Sequence, residues 1–328
     1  MPKPVVGITV GDPAGIGPEI VSKALNNRRV QSLCQPVVFG TARFLNTPTL
    51  KTDPVRGHDN IIQAPFERSH GGTIVRLFEV EVKGTIESGK RSANSGKAAM
   101  AYLDAAIRAA QRHEIDALVT APVSKSAIRM AGMHSFVGHT EYLAQVTGAR
   151  LFAMMFYSKR LRVTLVTTHL PLKDVATSVT SKKILGAITL SNDALKKLGF
   201  DRPRIGVAGI NPHAGEEKAF GDEDVRIVAP AVRKARERGI DAQGPVPADT
   251  LFRAAYKGEY DLVVAMYHDQ ALAPFKMIAF DEGVNVTLGL PFVRTSVDHG
   301  TAFEIAGKGV ASEKSLVEAI KLAVRLCT

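Results

Sequence analysis

The sequence predicts an α/β fold with mostly parallel sheets, and three observations carry that prediction. Short β-branched apolar runs recur over 5–10, 116–120, 161–167, 204–210 and 261–266. Helical patterns separate them, with no internal repeat and no low-complexity linker. The third observation is size. At 328 residues, 45% hydrophobic and 23% charged, the chain suits two domains or one large α/β unit. Either buries a full core without a disulfide or structural metal.

The elements follow in order. Residues 5–10 read as a buried strand. Gly11-Asp-Pro-Ala-Gly-Ile-Gly-Pro-Glu19 follows, then a helical pattern at Ile20, Val21, Ala24 and Leu25, with Pro18 in its first turn. Strand, glycine turn and helix bring backbone N–H groups toward an anion. The spacing is neither Gly-x-Gly-x-x-Gly nor a Walker loop, so a plain tight turn competes. A strand is expected over 36–40, a polar loop over 51–71 and a strand over 73–80. Asn94-Ser95 reads as the cap of a helix to about Gln111, burying Ala98, Tyr102, Leu103 and Ile107. A strand over 116–120 ends in Ala-Pro-Val-Ser-Lys125.

Gly138-His-Thr-Glu141 opens a helix over 142–146, with Thr140 as its cap. His139 and Thr140 then sit where a helix N-terminus favours phosphate or carboxylate. A cap beside a surface histidine is the competing reading. Adjacent strands are expected over 151–157 and 161–167, an amphipathic helix over 184–198 and a strand over 204–210. Acidic 222–224 begins a helix to 238, with basic residues at its far end. Residues 244–249 lead into a short helix, 261–266 form a strand, and 313–326 form a C-terminal amphipathic helix.

The stretch 267–309 shows neither strand alternation nor helical spacing to a first reading. It sets His268, Lys276, Asn285, Arg294, Asp298 and His299 among glycines and prolines. Polar groups held on such backbone read as loops that bind or catalyse. Three apolar strands also end in a histidine: His169 after 163–167, His213 after 205–210 and His268 after 262–266. Carboxyl ends of parallel strands line the functional crevice of α/β sheets. Three imidazoles there suit one divalent metal with an open position, although no His-Glu-x-x-His spacing is present. Asp269 reads either as orienting His268 or as a solvated carboxylate. His58, His70, His113 and His134 read as surface residues.

The net charge of +10 comes from scattered lysines and arginines, and with 6% aromatics and no Trp the chain lacks material for base stacking. Small anionic molecules suit the charge better than nucleic acid. Cys34 and Cys327 have no Cys-x-x-Cys partner, which fits a reducing compartment. The first apolar run stops at Gly11 and Asp12, and no segment reaches the ~18–20 apolar residues that span a bilayer. A cytoplasmic protein without membrane contact is expected.

The glycine turn 11–19, Thr120-Ala-Pro-Val-Ser-Lys, Gly138-His-Thr-Glu, Thr167-Thr-His-Leu-Pro-Leu, Asn211-Pro-His-Ala-Gly-Glu, Gly244-Pro-Val-Pro-Ala-Asp-Thr, Tyr267-His-Asp-Gln and the stretch 283–309 together resemble the 4-hydroxythreonine-4-phosphate dehydrogenases of vitamin B6 synthesis. The resemblance runs in order over nearly the whole chain. Both ends also resemble the wider isocitrate/isopropylmalate dehydrogenase group, where a Gly-Asp-Gly-Ile-Gly-Pro-Glu turn and a His-Gly-Ser/Thr-Ala-Pro-Asp stretch serve a nicotinamide cofactor. Here Phe303-Glu304 stands in place of Pro-Asp.

The resemblance implies an isocitrate/isopropylmalate dehydrogenase-like fold with two α/β/α domains and an interdomain cleft. One domain would take 1–135 plus 275–328, the other 136–274 with much of the metal site and the dimer contact. It implies His169, His213 and His268 as metal ligands, and His139, Thr140, Lys276, Asn285 and Arg294 as substrate-binding residues. Asp298, His299, Gly300 and Thr301 would meet the cofactor, NAD with NADP not excluded. The metal would be Zn, Co or Mg, and histidine ligands favour zinc or cobalt. The family is a homodimer whose active site is shared between copies.

The implied substrate is a phosphorylated hydroxy amino acid, 4-phosphooxy-L-threonine, which is oxidised and decarboxylated to 3-amino-2-oxopropyl phosphate. Lys276 and Arg294 suit its anions. Lys276 and Asp249 are the two candidates for the general base. One alternative is a paralogue acting on D-threonate or D-erythronate 4-phosphate. A second is a non-catalytic, metal-dependent anion-binding protein.

Overall fold

The computed structural model describes residues 2–45 and 75–327. The expected loop over 51–71 and the histidines His58 and His70 lie outside the described residues. The chain divides into two compact units, Met1–Gly148 with Leu290–Thr328 and Ala149–Gly289.

The first unit opens with β1 (Val5–Thr9), α1 (Gly17–Leu25), α2 (Arg28–Leu33) and β2 (Gln35–Gly40). It continues with β3 (Arg76–Glu79), α3 (Ala93–Gln111), β4 (Ala117–Thr120), α4 (Lys125–Met130) and α5 (His139–Thr147). β1 lies parallel to β2 and β4, so Ile8 stands opposite Val38 and Val119. All three side chains are buried, as a parallel strand covered on both faces requires. α2 and α4 are too short to announce themselves by periodicity.

Two helix starts differ from the expected ones. α3 is capped by Ser92, not by Asn94-Ser95. The Ser92 side chain accepts from Ser95 N at 3.1 Å, and Ser92 N donates to Ser95 Oγ at 3.3 Å, a capping box. α5 begins at His139 rather than 142, because Tyr142 N already donates to Gly138 O at 3.1 Å. Thr140 therefore lies inside the first turn and is not the cap; Gly138 is, with no side-chain cap bond.

The second unit holds β5 (Ala153–Tyr157), β6 (Arg162–Leu165), α6 (Leu172–Ser178), α7 (Ser181–Lys197), β7 (Ile205–Ala208) and α8 (Ala229–Glu237). β8 (Ala242–Val246), α9 (Ala248–Tyr256), β9 (Leu262–Ala265), α10 (His268–Ala279) and β10 (Val284–Leu288) complete it. Its strand order is β10-β5-β6-β9-β7-β8. β6, β9, β7 and β8 run parallel, and β5 is antiparallel to both β10 and β6. α8 starts later than expected, because 224–228 form a π turn ahead of it.

Residues 268–279 were expected as loops and form α10 instead, despite Pro274 within it. Ala271, Leu272, Phe275 and Ala279 recur at helical spacing and join the core with Phe156, Val163 and Leu251. Burying a side chain such as Phe275 is worth about 1.5–3 kcal/mol, which offsets the backbone bond that Pro274 removes. The unit bounds differ from the expected cuts after 135 and 274 for related reasons. α10 continues unbroken past 275, and β10 pairs with β5. α5 belongs with the first unit, where Tyr142 Oη donates to Asp104 Oδ1 of α3 at 2.6 Å.

The chain then returns to the first unit through β11 (Val293–Val297) and α11 (Lys314–Cys327). β11 lies parallel to β4 with Arg294 opposite Leu118, which makes an all-parallel order β3-β2-β1-β4-β11. α11 buries Leu316, Ile320 and Ala323. Among the described residues no helix is long and apolar enough to cross a membrane.

Candidate active site

In the first unit the strand ends of β4 and β11 and the start of α5 form a basic seat. Arg294 on β11 is 2% exposed, and its Nη2 donates to Thr120 Oγ1 at 2.7 Å. Burial pushes the guanidinium down from its ordinary value, and the Glu141 carboxylate opposes that. An arginine so placed keeps its charge at neutral pH. His139 is the first residue of α5, and its Nε2 is buried with no hydrogen-bond partner among the described residues. Burial first, then the Arg294 and Lys125 charges, hold its imidazole well below the usual histidine range. It is therefore neutral near pH 7. Thr140 follows it, buried in the same turn. A buried cation, a neutral imidazole nitrogen and uncapped helix amides together suit an oxyanion.

The other cluster of the first unit joins the glycine turn to the segment after β11. Ile16 N donates to Thr301 O at 2.9 Å. A Cβ at Gly15 would stand 2.8 Å from that oxygen, so glycine is required there by close approach. Asp12 is buried and receives Ala14 N at 3.0 Å, and burial raises its carboxyl above the ordinary value. Asp298 N donates to Ser315 Oγ at 3.5 Å; His299 and Gly300 are exposed. Beside this contact lies a cavity of about 420 Å³ lined in part by Pro13, Gly15, Glu19, Lys23, Arg43 and Gly307.

In the second unit the three strands that precede His169, His213 and His268 are consecutive neighbours, in the order β6-β9-β7, and all parallel. Their carboxyl ends therefore share one edge. His169 and His268 come together, with ring centroids 5.9 Å apart. His268 Nδ1 lies 2.6 Å from Asp269 Oδ1, which leaves Nε2 for a ligand. His213 does not join them: its ring packs on Phe220 at 5.9 Å. His213, Ala214, Glu216, Glu217 and Lys218 all carry positive φ, a conformation that costs about 1–2 kcal/mol per non-glycine residue. Among the described residues no group of three His, Cys, Asp or Glu side chains stands close enough to hold a metal ion. The donor chemistry of His169 and His268 fits a divalent cation, and among the described residues His213 does not join that pair.

Side chains that the sequence reading missed tie these strand ends together. Gln270 Oε1 accepts from Met266 N at 2.7 Å, and its Nε2 donates to Gly209 O at 2.8 Å. Asp224, fully buried, accepts Ile210 N at 2.7 Å and Asn211 N at 3.1 Å. Tyr267-His-Asp-Gln270 was the available signal, but which partner Gln270 meets depends on strand order. Of the remaining candidates, Asn285 lies on β10 opposite Phe156. Lys276 is half-buried on α10, its Nζ 5.3 Å from the Phe280 ring centre. Asp249 is exposed in the first turn of α9, where its Oδ1 accepts Thr250 N at 2.9 Å.

A sequence profile of the pyridoxal phosphate biosynthetic protein PdxA matches residues 32–323. The chain belongs to the PdxA family. The 4-hydroxythreonine-4-phosphate dehydrogenase of Desulforapulum autotrophicum is 45% identical over 99% of this chain and 96% of that protein. The D-threonate 4-phosphate dehydrogenase of Cupriavidus necator is 46% identical over 99% of this chain and 98% of that one. A crystal structure of 4-hydroxythreonine-4-phosphate dehydrogenase from Klebsiella pneumoniae superposes with a TM-score of 0.86 at 39% identity, covering 99% of this chain and 98% of that one. The fold is thus the isocitrate/isopropylmalate dehydrogenase-like α/β fold of PdxA proteins, and this PdxA member is related throughout to oxidoreductases of phosphorylated four-carbon acids.

Proposed function

We propose that this chain oxidises and decarboxylates 4-phosphooxy-L-threonine with NAD, giving 3-amino-2-oxopropyl phosphate. The observation that carries the reading is the basic seat of the first unit. A buried guanidinium, a neutral imidazole with an unpartnered buried nitrogen and an uncapped helix start suit a phosphate or carboxylate. In the reaction C3 gives up a hydride to the oxidant and its hydroxyl proton passes to a base, so C3 becomes a ketone; C1 then leaves as CO2 with its bonding electrons left on C2, which takes up a proton.

Arg294 and His139, with Thr140, bind an anionic end of the substrate. Asn285 and Lys276 serve as further binding groups. Lys276 and Asp249 are the two candidates for the general base, Asp249 exposed in the first turn of α9 where its Oδ1 accepts Thr250 N. Asp298, His299, Gly300 and Thr301, the last of them docked on the glycine turn, serve the cofactor, and the neighbouring cavity of about 420 Å³ is large enough for its adenosine end. NAD supplies a hydride acceptor. A divalent cation at His169 and His268, completed by a His213, supplies Lewis acidity. Among the described residues His213 stands apart from His169 and His268, and a homodimer whose second copy supplies the third imidazole suits that arrangement.

The relatives favour a second reading as well, oxidation of D-threonate 4-phosphate. The two substrates share phosphate, C3 hydroxyl and carboxylate, and differ in an ammonium or a hydroxyl at C2. Absorbance of NADH, followed with each substrate before and after chelator and metal add-back, separates them. Metal-dependent NADH with 4-phosphooxy-L-threonine is expected. A signal with D-threonate 4-phosphate alone moves the chain to the second substrate. Silence with both, in protein that holds metal, leaves a binding protein.

A further inference from the structure

Lys125 is the first residue of α4, just beyond Thr120-Ala-Pro-Val-Ser, and its side chain lies along the start of α5. A Cβ built on Gly138 would stand 3.8 Å from Lys125 Cε, 3.9 Å from its Nζ and 3.1 Å from Glu141 Oε2. Gly138 has φ 173°, an extended backbone open to any residue. A Cβ there would press only on Glu141 Oε2, whereas the Lys125 atoms lie at ordinary contact distance, which places its ammonium beside the helix start. No hydrogen bond or ion pair to a described residue occupies the Lys125 ammonium. Its charge also reaches His139, where it acts with Arg294 to keep the imidazole neutral.

We propose that Lys125 is a further substrate-binding residue, a mobile cation at the α5 start that closes on the substrate's phosphate opposite the buried Arg294. The two cations divide the task. Arg294 is fixed within the sheet and hydrogen-bonded to Thr120, so it orients. Lys125 is exposed on a flexible stem, so it completes the charge balance of a dianion only when one is present. His139 Nε2 then has an acceptor or donor partner in the ligand. This inference rests on the proposed anion seat and adds to it a residue outside the Gly138-His-Thr pattern.

The test compares wild type, Lys125→Met and Lys125→Arg by steady-state kinetics with 4-phosphooxy-L-threonine and D-threonate 4-phosphate, and by calorimetric titration with inorganic phosphate. Lys125→Met is expected to raise KM about tenfold or more, the loss of one charge-assisted hydrogen bond, with a smaller change in kcat. It weakens phosphate binding in proportion, and Lys125→Arg recovers most of both. Unchanged KM and unchanged phosphate affinity in Lys125→Met overturn the inference. If wild type turns over neither substrate, the functional reading fails, and the phosphate titration alone decides Lys125. Weaker phosphate binding in Lys125→Met then supports it as an anion ligand, and equal binding removes it. Thermal melts of each variant show whether a loss comes from the site or from unfolding.

Discussion

His139 shows how much of a residue's chemistry lies outside its own neighbourhood. Its type and its place at a helix start are legible in Gly138-His-Thr-Glu. Its neutrality is not, because burial and the charges of Arg294 and Lys125 produce it. The folded-state value lies below the ordinary 6.5. Between the two values the unfolded chain binds more protons, so stability rises with pH across that window and is lost as pH falls below about 6.5. Urea unfolding from pH 7.5 to 5.5 is expected to show this slope in wild type and a flatter one in His139→Gln. Equal slopes would mean the imidazole is not desolvated in the folded protein. Bound phosphate reverses the trend, because an anion beside the ring favours its protonation.

Elements explain why the histidines converge only in part. The sequence predicts three strands that each end in a histidine, and the sheet makes those strands neighbours. Side chains between strand ends then hold the spacing, and Gln270 is suited because a single amide both accepts and donates. Gln270→Ala is expected to weaken divalent-metal binding and to cost about 1–3 kcal/mol of folding stability, because the buried Met266 N–H loses its acceptor. Equilibrium dialysis with zinc or cobalt measures it. Gln270→Glu keeps the acceptor for Met266 N, loses the donor to Gly209 O and falls between. Wild-type affinity in Gln270→Ala would separate this bridge from the metal site. α10 was misread because Pro274 and the charged residues around it masked the period of Ala271, Leu272, Phe275 and Ala279.

For the whole molecule, the separation of His213 from His169 and His268 bears on assembly. If each site takes residues from two copies, chains with different defects complement one another. Co-expressed His213→Ala and Arg294→Ala, each inactive alone, are expected to regain about a quarter of wild-type turnover: random pairing makes half the dimers mixed, with one intact site in each. A return to no activity in purified mixed dimers would place every site within one chain. Chromatography of differently tagged chains isolates the mixed species for the assay.

Local pattern alone specifies the α/β class, strands β1–β7 and β9, and the residue types of the site, but not β8, nor β10 and β11, which lie in the stretch 267–309 that reads as loops. Buried parallel strands need continuous β-branched runs, and turns at their ends need glycine and proline, so both are written locally. Tertiary structure decided the rest. It capped α3 with Ser92, began α5 at His139, made 268–279 a helix, and set Lys125 beside His139. Each of those outcomes depends on which distant residue is brought near. A hydrogen bond, a desolvated charge or a buried face exists only once the chain has closed on itself.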